Sequence, residues 1–167
     1  MNIDDQELAQ MDISLRSRFH MIKMEPIPQV LPTIMSGDLQ IDLAKLLETV
    51  NARITVLLGH GKGVGHAYLL SVGNFQELKL AFYGKVMPIL NDLFNSNSKK
   101  LGLVLGKGFF HKIEFDKTPI LAQFDVDVNA KYGKEKGFLL KTFDEVDELD
   151  FIRIYDETAS LVTQKPG

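Results

Sequence analysis

The chain has 167 residues and a mass of 18.8 kDa, the size of one ordinary domain. Hydrophobic residues make up 45% of it and charged residues 25%, a profile typical of a globular protein and not of a disordered one. The net charge of −3 argues against bulk attraction to nucleic acid, and the lack of cysteine excludes disulfides, thiolate metal sites and a cysteine nucleophile.

The beginning of the chain is acidic and polar, whereas a secretory signal needs a basic start followed by an apolar stretch. No run approaches the roughly 20 apolar residues that span a bilayer. We therefore expect no membrane association and a cytoplasmic location.

Prolines at positions 26, 28 and 32 interrupt any early helix, so residues 25–37 are predicted to be a connector. This divides the chain into an N-terminal extension with its connector, residues 1–37, and a single α+β domain, residues 38–167. A first helix is predicted over 38–51 with Asp38 as its N-cap. Its apolar stripe is Leu39, Leu43, Leu46, Leu47 and Val50.

A series of segments after this helix is rich in β-branched and aromatic residues and is predicted to form strands. These segments are residues 53–58, 66–72, 75–82, 101–105, 109–115, 120–128, 138–143 and 151–155. The strictest alternation lies in 120–128, with Phe124 on its inward side. A second helix is predicted near Pro88, because the apolar residues around it have helical spacing.

Most of these predicted strands are joined by short turns, which favour antiparallel pairing. The predicted fold is therefore α+β: mainly an antiparallel sheet, or a partly closed small β-barrel, of six to eight strands. Two or three helices accompany it, mostly in the first half of the chain.

The strongest local signal is the glycine-rich segment at 59–66. Glycines permit positive φ angles and close approach to a ligand, and backbone amides in such a loop can converge on an anion beside a lysine. The candidate ligand-binding residues are Gly59, His60, Gly61, Lys62, Gly63, Gly65 and His66. No spacing typical of a metal site accompanies the two histidines, so neither a metal nor a cofactor is predicted.

The same segment resembles the pyrophosphate-binding loop of the acyl-CoA-dependent N-acetyltransferase family. Gly63 and Gly65 match its two glycine positions, while His60 stands where the family has glutamine or arginine. The resemblance implies that a strand precedes the loop, that a helix follows it, and that the chain is an acetyltransferase-like enzyme.

Two charged regions are also candidates for function. The acidic segment 144–150 is expected to form a solvated face, with a divalent-cation site as the alternative. Lysines interleaved with phenylalanines suit a single-stranded nucleic-acid platform, although core phenylalanines fit the pattern better. These residues are Lys99, Lys100, Lys107, Lys112, Lys117, Phe109, Phe110 and Phe115.

No complete catalytic set is visible in the sequence. The favoured function is therefore a non-catalytic cytoplasmic binding or regulatory module for a protein partner or a small anionic ligand. The first alternative is the acetyltransferase-like enzyme, and the second is single-stranded nucleic-acid binding. Self-association into a homo-oligomer stays open.

Overall fold

The computed structural model of the protein describes residues 25–116 and 134–160. Within these ranges the architecture is α+β, which confirms the predicted class. The strands form two separate two-stranded antiparallel sheets, and no closed barrel exists among the described residues. The predicted sheet of six to eight strands is therefore not found there, because several apolar segments predicted to be strands are helices.

A β-hairpin leads directly into the first helix. Strand β1 (Thr33–Ser36) pairs with β2 (Leu39–Asp42) around a turn at Gly37, whose φ of +57° suits glycine. Helix α1 (Leu43–Leu58) begins at Asp42, whose carboxylate accepts a hydrogen bond from the backbone N–H of Lys45. The prediction of Asp38 as the N-cap is therefore wrong, because strand β2 lies between Asp38 and the start of the helix.

Helix α1 also continues through residues 53–58, which were predicted to be a strand. The apolar stripe explains the difference, because it runs on at helical spacing into Ile54, which is fully buried. Val56, in contrast, is 84% exposed. The β-branched composition of this segment was the misleading signal.

Residues 66–82 hold no strand. His66–Tyr68 is a single 3₁₀ turn, and Asn74 caps helix α2 (Phe75–Ala81) by accepting from the backbone N–H of Glu77. A π-helical turn at Phe82–Val86 follows, and then helix α3 (Met87–Leu93), which confirms the helix predicted around Pro88.

Residues 101–105 belong to helix α4 (Ser98–Leu105) and not to the predicted hairpin strand. Asn97 caps the helix by accepting from the backbone N–H of Lys100. The helix ends at Gly106, with a φ of +84°, and a 3₁₀ turn at Lys107–Phe109 lies where a short turn was predicted between the strands 101–105 and 109–115.

The second sheet is a two-stranded ribbon. Strand β3 (Phe110–Asp116) confirms the strand predicted at 109–115, and it pairs with β4 (Lys134–Leu140). The predicted strand at 138–143 thus begins earlier and ends at Leu140. Helix α5 (Glu148–Ile152) ends within the segment predicted as the strand 151–155, and residues 153–155 of that segment are a turn. The strand predicted at 120–128 lies outside the described residues.

The core joins all these elements around a group of phenylalanines. The ring of Phe151 lies 5.1 Å from the rings of both Phe82 and Phe109, in edge-to-face geometry. Phe75 packs against the same ring at 5.7 Å. Leu31 and Ile34, from the predicted connector, are buried in this core. The division of the chain at residue 37 stays a prediction.

Candidate functional site

The glycine-rich loop follows α1. Gly59 and Gly61 adopt φ angles of +86° and +89°, which favour glycine over any residue with a Cβ. The backbone N–H of Gly59 donates to the Thr55 carbonyl and closes the last turn of the helix. The chain therefore leaves the helix axis at this point because two glycines permit it.

Asn51 of α1 holds the far side of the loop. Its side-chain amide donates to the Val64 carbonyl at 2.9 Å, and its oxygen accepts from the Val64 N–H at 2.7 Å. The Val64 side chain is fully buried. A Cβ at Gly63 would lie 2.9 Å from the Asn51 amide oxygen, so glycine is needed here for close packing.

The two histidines of the loop have different surroundings. Nδ1 of His66 accepts a hydrogen bond from the backbone N–H of Ile27 at 3.1 Å, which ties the loop to the proline-containing segment. That nitrogen therefore carries no proton in this arrangement. His60 is exposed, and Lys62 is half-buried.

These contacts limit how the loop can hold an anion. The amides of Gly59 and Val64 already donate within the protein, so they do not point into a ligand site. A strand before the loop and a helix after it, as the acetyltransferase resemblance implies, are replaced by α1 and a 3₁₀ turn. Ligand binding by residues 59–66 stays a prediction.

The acidic segment 144–150 has internal partners. Asp147 and Asp150 form a reciprocal capping box at the start of α5. The Glu145 carboxylate accepts from the backbone N–H and hydroxyl of Thr142 and contacts His111 Nε2 at 3.0 Å. These hydrogen bonds, led by the one from the Thr142 N–H, lower the pKa of Glu145 below 4.5. Carboxylates engaged in this way favour a structural role.

A buried ion pair stabilises the same region. Asp150, only 3% exposed, accepts from the Lys141 ammonium at 2.8 Å. The Tyr83 hydroxyl donates to the Lys141 carbonyl at 2.9 Å. Burial, together with the negative charges of Asp150 and Glu145, raises the Tyr83 pKa to about 12. The phenol therefore stays a hydrogen-bond donor at neutral pH.

The lysine and phenylalanine pattern does not form a stacking platform in the described residues. Phe109 is fully buried and Phe110 is only 8% exposed, so neither ring can stack on a base. Lys99, Lys100 and Lys112 are exposed. Phe109 and Phe110 thus belong to the core, and these three lysines lie on the surface. Lys117 and the side chain of Phe115 lie outside the described part of the chain.

Residues 25–116 and 134–160 contain neither a candidate metal site nor a helix that could cross a membrane. No group of three histidine, aspartate or glutamate side chains there has the geometry to hold a metal ion. No helix in these ranges has the length and hydropathy needed to cross a membrane.

Residues 42–102 match the family model described as "McrB, alpha-helical lid domain". The matched segment begins at the N-cap of α1 and ends within α4, so it covers α1 to α3 and the first part of α4, whereas α5 lies outside it. It is less than half of the chain, and we treat it as a similarity. A search of curated proteins finds no match to this chain.

Sequence reasoning missed Asn51 and the exposed face of α4. Asparagine is a poor helix former, so its presence within the helical pattern indicates that its side chain has a hydrogen-bonding role. Leu103 lies in a segment predicted to be a strand, and a strand does not place it one turn away from Lys99 and Lys100 on a helix surface. The Asn97 cap and the apolar spacing of Leu101, Val104 and Leu105 predict the helix once they are taken together.

Proposed function

We propose that this chain is a non-catalytic binding module whose helical body, residues 42–102, docks on a protein partner in the manner of a lid. The single observation that carries the proposal is the match of this segment to an α-helical lid domain. A lid acts by covering a surface of another domain. The module is expected to be cytoplasmic, as the sequence analysis predicts.

The contacts of the glycine-rich loop support a protein partner over a small anionic ligand. Two of its amides and the Nδ1 of His66 are already engaged in holding the loop against α1 and Ile27. The positive φ angles of Gly59 and Gly61 and the close packing of Gly63 on Asn51 likewise serve the shape of the loop without a ligand.

The test has two parts, one for a protein partner and one for a small anionic ligand, and the first is crosslinking. The tagged full chain, carrying a photo-crosslinking residue at Val56 or at Leu103, is irradiated in its native cells, and adducts are identified by mass spectrometry. A reproducible adduct with one protein, formed from one position and absent from the other, supports the proposal.

Calorimetry of the purified chain with coenzyme A, nucleotides and phosphate is the second arm. No heat of binding is expected for any of them. Saturable binding that Lys62→Ala abolishes, together with no protein adduct, would overturn the proposal in favour of an anion-binding loop.

A further inference from the structure

The outer face of α4 carries an exposed leucine beside two exposed lysines. Leu103 is 63% exposed, and Lys99 and Lys100 lie one helical turn before it on neighbouring positions. Within the described part of the chain, neither lysine side chain forms an ion pair with a carboxylate. Among residues 25–116 and 134–160, no carboxylate therefore pairs with the charge on this face.

The position of these lysines is also unfavourable for the helix itself. The first turn of a helix favours acidic residues because the macrodipole is positive there. Helices α2 and α5 follow this preference with Glu77 and with Glu148 and Asp150, whereas α1, α3 and α4 have no acidic residue in their first turns. The two lysines of α4 therefore gain no stabilisation from the helix macrodipole.

The β3–β4 ribbon extends the same surface. Strand β4 lies against α4, and a Cβ at Gly102 would be 3.9 Å from the ring of Phe110, so that ring faces the helix. Lys112 is two residues further along on the same face, directly opposite Phe138 in the ladder. Lys112 is exposed and Phe138 is 39% exposed.

We propose that this α4–ribbon surface, formed by Lys99, Lys100, Leu103, Lys112 and Phe138, docks an acidic protein segment that carries apolar side chains. Charge complementarity selects the carboxylates, and the exposed leucine and phenylalanine select apolar anchors between them. Nucleic acid fits less well, because the face has no arginine and Phe109 and Phe110 are buried. This inference rests on the proposed function and names the chemistry of the partner.

The test uses a phage-displayed library of random peptides selected on the immobilised full chain. The enriched peptides are expected to combine aspartate or glutamate with leucine, isoleucine or phenylalanine. In fluorescence anisotropy, Lys99→Glu/Lys100→Glu is expected to raise the Kd at least about tenfold, and raising NaCl from about 0.05 M to about 0.3 M weakens binding by the wild type. Leu103→Ser and Phe138→Ser weaken binding without changing this salt dependence.

The matched control is Leu80→Ser/Lys85→Glu, because Leu80 is 59% exposed and Lys85 is an exposed lysine on a different part of the helical body. It leaves the Kd unchanged. If the peptides bind the α4–ribbon variants as tightly as the wild type but bind this control more weakly, the α4–ribbon surface is not the binding site. The proposed function, docking of a protein partner, would still hold.

Three further results would contradict the inference, and each of them would assign binding to a different ligand. If no peptide is enriched and calorimetry detects an anion bound by the glycine-rich loop, the proposed function fails with it. Binding of a single-stranded oligothymidylate that Lys99→Glu/Lys100→Glu abolishes, without any acidic peptide, would assign the surface to nucleic acid. Concentration-dependent dimerisation that Leu103→Ser prevents would assign it to a second copy of the chain.

Discussion

At the scale of single residues, close packing around Asp150 decides which side chains the fold tolerates. A Cβ at Gly108 would lie 2.6 Å from an Asp150 carboxylate oxygen and 3.3 Å from its Cα. The oxygen cannot simply move aside, because the Asp150 carboxylate also binds Lys141 and the backbone N–H of Asp147. Gly108 is therefore fixed by steric contact and not by its backbone angles.

We expect Gly108→Ala to destabilise the protein by about 1–3 kcal/mol, because the added methyl group overpacks this contact. The matched control is Gly84→Ala in the π-helical turn, where a Cβ meets nothing within 4 Å. That change is expected to be neutral or stabilising by up to about 1 kcal/mol. Urea denaturation measures both, and equal stabilities of the two variants would contradict the steric argument.

The Lys141–Asp150 pair gives a second prediction. Lys141→Met leaves a buried carboxylate without its cation, and we expect a loss of roughly 2–4 kcal/mol. Asp150→Asn in the Lys141→Met background is expected to recover part of this loss. A double-mutant cycle by chemical denaturation measures the coupling, and additive effects would show that the pair contributes nothing beyond its separate members.

The Glu145 carboxylate predicts a pH effect with a defined sign. Its pKa is lowered, chiefly by the hydrogen bond from the Thr142 backbone N–H and then by the Thr142 hydroxyl. Its contribution to stability is therefore present above pH 4.5 and is lost as the pH falls through the lowered value. Thr142→Ala is expected to raise the pKa in an NMR titration, whereas an unchanged pKa would exclude the hydroxyl as a cause.

At the scale of elements, helix-capping residues distinguish helices from strands in segments whose composition does not. Composition rich in β-branched and aromatic residues predicts strands at 53–58, 75–82, 101–105 and 151–155. The first three segments are helical, and the fourth holds the end of α5 followed by a turn. The caps at Asn74, Asn97 and Asp147 were readable signals of helix starts. Strand β3 was predicted correctly from its β-branched and aromatic composition. The helix around Pro88 was predicted correctly because the apolar residues near this proline have helical spacing.

The glycine-rich loop was predictable in composition but not in its contacts. Four glycines indicated a turn with close approach, and the structure shows that the close approach is made by Asn51 of α1. That partner lies 13 residues away from Val64 in the sequence, so local reasoning could not identify it. The predicted ligand role of His60 and Lys62 stays untested.

Asn51→Leu is expected to destabilise the protein by about 1–3 kcal/mol, because it removes both hydrogen bonds to a buried residue of the loop. Amide exchange in residues 59–65 should accelerate. Val56→Ala, on the exposed side of the same helix, is expected to change stability by no more than about 0.5 kcal/mol. Unchanged exchange in the loop of Asn51→Leu would show that other contacts hold it.

At the scale of the whole molecule, charge is divided between two regions. Residues 85–141 carry ten lysines and six acidic residues, and residues 142–167 carry two basic and seven acidic residues. Internal contacts use much of the acidic region in caps and in the ion pair with Lys141. Lys99, Lys100 and Lys112 are exposed and have no ion pair among the described residues, so their charges are accessible to a partner.

Hydrogen–deuterium exchange of the full chain, alone and saturated with the selected acidic peptide, tests most directly whether the helical body docks a protein. We predict slower exchange in α4 and in the paired strands around Lys112 and Phe138, with little change in the loop at 59–66. Protection confined to that loop, with α4 exchanging as in the free chain, would contradict the account.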